Sequence, residues 1–197
     1  GDVDTQQALN AVKEKFNKPL NIEQQKSLPI YKMDKKPSNE IENKIDMKVE
    51  TGYILVGFKG CHPISNKDSY ALDVLAVILG NGKSSRLYKS LKEQKQLVHS
   101  ISASHSSMKD DSLFYIYANY VTEDIERLKS AIFSEVEKLR KNEITLEELQ
   151  KAKNIIERDT YYARESVSNI AGEIGYTVTL TDNTDYYKNY LDNIKKV

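Results

Sequence analysis

Gly80-Asn81-Gly82-Lys83-Ser84-Ser85-Arg86-Leu87-Tyr88-Lys89-Ser90-Leu91-Lys92-Glu93, followed closely by Leu97-Val98-His99-Ser100-Ile101-Ser102-Ala103, is the stretch that decides the fold. Gly80 ends one helix, and Gly80 and Gly82 together relieve a helix-to-helix turn. Ser84 stands where a cap is needed for a short helix carrying Leu87 and Leu91 on one face. From Leu97 to His105 the period drops to two, which reads as a strand. A glycine turn, a short helix and a strand in immediate succession describe a helix that docks on a sheet.

Outward from this stretch the pattern stays consistent. Upstream, Ala71, Val74, Leu75 and Ile78 are spaced for the core face of a helix, opened by Ser65 with Asp68 as a capping-box partner. Val49 to Phe58 alternates and predicts a strand with one well-buried face. Downstream, Ser112 to Tyr120 is another alternating run, and Ser106 to Asp111 has hairpin length. From Thr122 the period becomes helical: Ile125, Leu128, Ile132, Val136 and Leu139 form a long stripe, broken at Asn142. Thr145-Leu146-Glu147-Glu148 is a capping box opening a helix with Leu149, Ala152, Ile155 and Ile156 inward. Ser166–Val178 and Thr184–Ile194 read as two more helices. This order predicts an α+β fold, an antiparallel sheet with helices packed on one face.

The N-terminal part differs. Thr5 to Phe16 predicts a short amphipathic helix with Ala8, Leu9, Val12 and Phe16 on one face, capped by Asp4 or Thr5. Pro19 to Lys48 is rich in Lys, Glu, Gln and Asn, holds three of the four prolines and has linker composition. The chain starts Gly1-Asp2 with no Met, which reads as a piece of something larger.

Composition narrows the function. In 197 residues, Lys+Arg and Asp+Glu are both 29, so the net charge is zero. That balance speaks against a dedicated nucleic-acid or anionic-membrane surface. No apolar run approaches the ~20 residues of a membrane helix. The sequence-level expectation is therefore a soluble protein, cytoplasmic or periplasmic, with no nucleic acid and no membrane among its partners.

Chemistry-bearing motifs are sparse. The three histidines are His62, His99 and His105, and neither H-E-x-x-H nor H-x-x-E-H occurs. By strand alternation His99 and His105 share a face, but six residues separate them by roughly 20 Å, too far to share a zinc ion. No metal and no cofactor are expected in this chain. Gly82-Lys83-Ser84 mimics the end of a phosphate loop, but Val77 stands where its first glycine belongs and the segment leaves a helix rather than a strand. Cys61 reads as a lone half-buried thiol. The thirteen tyrosines read mostly as sheet and helix packing.

The loop–helix–strand run also resembles a hallmark of the pitrilysin/insulinase-type zinc peptidases, in whose second domain a G-x-x-S-S-R-L-[FY]-x-x-L-R-E run leads into L-x-Y-S-x-S-A. Other blocks match in order: Gly1-Asp2-Val3-Asp4 with the helix to Phe16-Asn17, Val56-Gly57-Phe58-Lys59-Gly60, the helix with Asp68, Ala71, Leu72, Val74 and Leu75, and Ile144 through Lys153. Glu165-Ser166 and the region from Ala171 to Tyr176 continue the likeness, which covers nearly the whole chain. The resemblance implies a mitochondrial-processing-peptidase-like fold. Residues 1–18 would then close a preceding domain, 19–48 would be a linker, and 49–197 a second domain truncated at its C-terminus.

In such peptidases zinc is held by H-x-x-E-H and a distant Glu in the first domain of one half, and the motif Glu activates the metal-bound water. That equipment would lie in a parent or partner half, so this chain alone is expected to be inactive. The resemblance implies a non-catalytic domain that forms chamber wall and substrate-contact surface for peptides. The alternative is a catalytically inactive structural homologue or partner subunit of the same fold. The implied partners are the zinc-bearing first domain or partner half, peptide substrates, and a second copy of the fragment in a homodimer. The half facing the zinc carries an Arg-x6-Tyr pair that orients substrate and stabilises the oxyanion. Those positions fall on Lys92 and His99, and neither residue matches. Lys92 keeps the charge without the planar fork, and His99 keeps a donor. Strand alternation would place His99 with Leu97, Ile101 and Ala103 on the core side, whereas Lys92, one position after core Leu91, should be partly exposed. Arg86 matches the arginine of the S-S-R-L run and reads as structural.

Overall fold

The computed structural model describes residues 2–17, 39–61, 67–108, 112–120, 124–141 and 144–197, in two compact units, Gly1–Lys35 and Lys36–Val197. In the first, α1 (Thr5–Phe16) is capped by Asp4, whose Oδ1 accepts from the Gln7 N–H at 2.7 Å. Lys13 and Lys15 sit at its negative end. No residue of α1 is buried, so the stripe of Leu9, Val12 and Phe16 faces outward.

The second unit is built on three antiparallel strands, β1 (Gly52–Lys59), β2 (Val98–Ser107) and β3 (Ser112–Tyr120), in the order β1-β3-β2. Residues 49–51 precede β1 rather than starting it. Gly52 faces Tyr120 and Lys59 faces Leu113, while Ile101 faces Ala118 and Ala103 faces Ile116. This register places Ile54, Val56 and Phe58 beside Phe114, Ile116 and Ala118 on the face that the helices cover. The opposite face, with Tyr53, Leu55 and Tyr117, is exposed, as an antiparallel sheet allows.

α2 (Asp68–Gly80) lies across β2 and is buried on two sides. Its Ala76 and Leu79 join the sheet-side core, together with Leu87, Leu91 and the Leu128–Ala131–Ile132 stripe of α3 (Ile125–Lys141). Its Val74 and Ile78 join a second, smaller core with Ala152 and Ile156 of α4 (Leu146–Ala163) and Leu191 and Ile194 of α6 (Thr184–Lys196). Ala71, expected on the core face, is exposed, because the two-sided burial of α2 centres on Val74 to Gly80. Between α4 and α6 runs α5 (Val167–Thr181), capped by Ser166 and ended by Asp182 in the left-handed region, φ 52°.

Gly80 ends α2 for a stricter reason than helix termination. A Cβ at this position would fall on the backbone nitrogen of Ala103 in β2, so helix and strand can touch there only without a side chain. The expected Ser65 cap lies outside the described residues; among the described ones, Lys67 precedes α2 without a side-chain cap bond. The expected cap at Ser84 is not formed. Ser85 is the buried serine, and its hydroxyl donates to the Gly82 carbonyl at 2.7 Å, holding the turn. The helix that follows, Tyr88–Gln94, is a π-helix; Leu91 within it and Leu87 just before it are fully buried, as their spacing predicts. The α4 capping box forms as expected: the Thr145 hydroxyl accepts from the Glu148 N–H at 3.2 Å, and the Glu148 carboxylate accepts from the Thr145 N–H at 3.1 Å.

Candidate functional site

Lys92 lies on the π-helix and His99 at the start of β2. Lys95 closes the π-helix by donating its N–H to Ser90 O at 3.0 Å. Gln96 then turns in the left-handed region, φ 52°, and Leu97 N–H reaches back to Leu91 O at 2.8 Å. A two-residue reversal thus puts the helix end directly beside the strand start. Lys92 is half-buried, as expected, with Nζ 5.1 Å from the centre of the Tyr88 ring.

His99 does not lie on the core side. Val98 faces Tyr120 and Ser100 faces Asn119, which leaves His99 as the extra residue of a β-bulge. The bulge gives the core position to Val98, 5% exposed, and turns His99 out to solvent beside Ser100. Asn119 stabilises it, its Oδ1 accepting from Ser100 N–H at 2.7 Å and from the Ser100 hydroxyl at 2.9 Å. The physical reason is a choice between side chains: burying a valine is favourable, whereas burying an imidazole there would require a partner. The bulge also removes His99 from the face of His105. No hydrogen bond or ion pair joins Lys92 to His99 among the described residues.

The scaffold beneath is held by charge-assisted contacts. Ser90 on the π-helix donates to Glu135 of α3 at 2.7 Å, and Lys138 donates to the same oxygen at 2.8 Å. Burial pushes the Glu135 carboxyl up, but these donors and the charges of Lys138 and Lys95 outweigh it and leave it below its ordinary value. Arg86 forms two 2.7 Å bonds, Nε to Oε1 and Nη2 to Oε2 of Glu148. The Glu148 side chain therefore completes the α4 capping box and fastens α4 to the turn before the π-helix. Arg86 is the first cause that holds the Glu148 carboxyl down to about 2. The spacing of the capping box signalled half of this arrangement, and the Arg86 link could not be read from it.

A second polar cluster was not foreseen. His105 is on the helix-covered face of β2, and its Nδ1 lies 2.7 Å from Asp73 Oδ1 of α2. Tyr190 of α6 donates its hydroxyl to Asp73 Oδ2 at 2.9 Å. Burial first, and then the Asp73 charge, push the Tyr190 phenol far up, which keeps it a donor. Among the described residues no three His, Cys, Asp or Glu side chains come together as a group able to hold a metal ion. No helix among them is long and apolar enough to cross a membrane.

Residues 1–156 match the family described as the peptidase M16 inactive domain. The chain belongs to that family. The chain is 30% identical over 198 residues to zinc protease PqqE of Helicobacter pylori, covering 98% of this chain and 44% of that protein. It is 30% identical over 128 residues to an uncharacterized zinc protease, YmxG, of Bacillus subtilis, covering 64% of this chain and 31% of that protein. In fold it resembles the crystal structure of a protease from Helicobacter pylori, TM-score 0.76 and 25% identity, covering 100% of this chain and 48% of the other. An inactive peptidase domain of a putative zinc protease from Bordetella parapertussis shares the fold, TM-score 0.67 at 16% identity, over 75% of this chain and 79% of that one. The chain spans less than half the length of these curated relatives. The expected antiparallel α+β fold and the expected membership of this peptidase family both hold.

Proposed function

We propose that this M16 inactive domain serves a zinc peptidase that degrades or processes peptides, as chamber wall and substrate-contact surface, with the zinc in a partner domain or half. The observation that supports this reading is a pair open to solvent, half-buried Lys92 on the π-helix and exposed His99 on the bulge. Lys92 and His99 both reach solvent, and they occupy the positions of the substrate-orienting pair that the resemblance implies. Residues 49–197 would form the domain proper, residues 1–18 the end of a preceding domain, and 19–48 the linker between them. Among the described residues no three His, Cys, Asp or Glu side chains come together as a group able to hold a metal ion, and the zinc is therefore assigned to the partner domain or half. The partner would carry the metal chemistry, and Lys92 and His99 would supply donors to the substrate carbonyl.

The replacement of an arginine by Lys92 and a tyrosine by His99 favours one other reading, a partner subunit that assembles with an active half without touching substrate. The test is a peptidase assay on the complete protein, or on this chain combined with its zinc-bearing half. Under the first reading, Lys92→Ala with His99→Ala lowers kcat by about 10-fold or more while KM moves less. Unchanged kcat in an assembly shown to be active would remove the substrate-contact role and leave the scaffold reading.

A further inference from the structure

The surface that carries Lys92 and His99 has a surplus of positive charge. The whole chain has none, with 29 basic and 29 acidic side chains. Yet residues 83–99, from the glycine turn through the π-helix to the bulge, hold five lysine and arginine side chains and one carboxylate, Glu93. The fold brings two more carboxylates beneath this stretch, and both are engaged. Glu148 is held by Arg86 through two 2.7 Å bonds. Glu135 accepts from Ser90 at 2.7 Å and from Lys138 at 2.8 Å, with Lys95 at 3.9 Å.

Lys89 and Lys92 are left over. Among the described residues neither has a carboxylate partner, and His99 has no hydrogen-bond or ion-pair partner. Lys89 and Glu93 are both exposed and form no ion pair with each other. The Lys92 ammonium rests 5.1 Å from the Tyr88 ring centre, a weak contact that leaves it donors to spare. Lysines elsewhere behave differently: Lys129, Lys138 and Lys188 each reach a carboxylate three positions before them. The reversal over Lys95 and Gln96 then brings the end of the π-helix back to the start of β2, so the two lysines and His99 border one surface.

Uncompensated cations at a contact surface select a partner by charge complementarity. Resting on the reading of Lys92 and His99 as substrate contacts, we propose that this surface prefers peptide segments with aspartate or glutamate side chains, with Lys89 as the direct partner of the carboxylate and the charge of Lys92 beside it. Lys92 has three donors, so it can serve a substrate carbonyl and a neighbouring carboxylate together. A nucleic acid fits less well. It calls for a long basic stripe and open aromatic faces for its bases, whereas here the cations are few and Lys92 covers the Tyr88 ring.

The test titrates the 197-residue chain with end-blocked peptides that carry Glu, Gln or Lys at the same two positions and are otherwise identical, read by backbone amide NMR. End-blocking removes the terminal carboxylate, so side chains alone are compared. The Glu peptide should shift residues 88–99 saturably, and the Gln peptide should bind at least about 5-fold more weakly, the upper worth of one exposed ion pair. Added salt should narrow the difference. Lys89→Gln with Lys92→Gln should bring the Glu peptide to the level of the Gln peptide, and Lys89→Gln alone, at an exposed position, part of the way. Equal affinity for the Glu and Gln peptides, shifts confined to other parts of the chain, or full binding in the folded double variant would each overturn the proposal. An oligonucleotide of equal charge that binds residues 88–99 more tightly than the Glu peptide would also overturn it. Cleavage by the complete assembly separates this preference from the contact role. A lower kcat in Lys92→Ala with His99→Ala, together with equal kcat/KM for Glu and Gln peptides, removes the acidic preference and leaves the contact role. Charge-selective binding at residues 88–99 with unchanged kcat keeps the acidic preference and removes the substrate-orienting role.

Discussion

The sheet-side core and the α5 segment are built from comparably apolar sequence and reach opposite outcomes. In the core, Leu87, Leu91, Ile116, Leu128 and Ile132 are fully buried between sheet and helices. In α5, Val167, Ile174 and Tyr176 are exposed and Thr177 is the one buried residue. Two glycines show the same contrast. A side chain at Gly80 would meet the β2 backbone, whereas at Gly175 it would meet nothing within 4 Å. Apolar composition therefore supplies stability only where a second layer exists to cover it. The loosely covered α5 borders a cavity of about 280 Å³ that Asp73, His105 and Tyr190 also line.

Four measurements sharpen or break this contrast. The largest effect is expected at Leu91: Leu91→Ala should cost about 2–5 kcal/mol in chemical denaturation, through lost transfer energy and the cavity left behind. Ile174→Ala in α5 should stay within about 0.5 kcal/mol, and equal costs at the two sites would refute the contrast. Next comes Gly80→Ala, expected to cost about 1–3 kcal/mol because the neighbour that must yield is backbone. A neutral result would show that α2 does not rest on β2 at that point.

The third concerns pH. The Glu148 carboxyl is held at about 2 in the folded chain, against about 4.3 when unfolded. Its contribution is therefore complete above pH 4.5 and is lost as pH falls through 2. With the side chain about a third exposed, the stabilisation is about 1–2 kcal/mol after solvent screening. Denaturation midpoints between pH 5 and pH 2 should fall in the parent chain and fall less in Arg86→Met. Parallel pH curves would show that the Arg86 pair does not hold α4. The smallest effect is a gain: Gly175→Ala should stabilise by about 0.4–1 kcal/mol, since alanine restricts the unfolded chain and its methyl meets open space. A loss there would mean that α5 is covered more tightly than the structure has it.

Much of the fold was legible because local rules and tertiary need agree. Leu87 and Leu91 announced one buried face, and both are buried. Thr145 and Glu148 announced a helix start, and both halves of the capping box form. Ser112 to Tyr120 alternates, and it is the central strand. The site was less legible. Strand alternation assigned His99 to the core, and the bulge overruled it because Val98 is the better residue to bury. Ser84 looked like the cap, but the turn uses Ser85. The partners of His105 and Arg86 lie 32 and 62 positions away in the chain, beyond any spacing rule.

The sequence alone determined the kinds and order of the elements, the peptidase-family membership and the absence of an H-x-x-E-H motif, because periodicity, caps and motif spacing act over a few residues. Tertiary structure decided which strand position yields to a bulge, why Gly80 can carry no side chain, which carboxylate clamps Arg86, and that His105, Asp73 and Tyr190 meet beside a cavity. Those outcomes depend on contacts between segments that only packing brings together, and on the cost of burying one side chain in place of its neighbour.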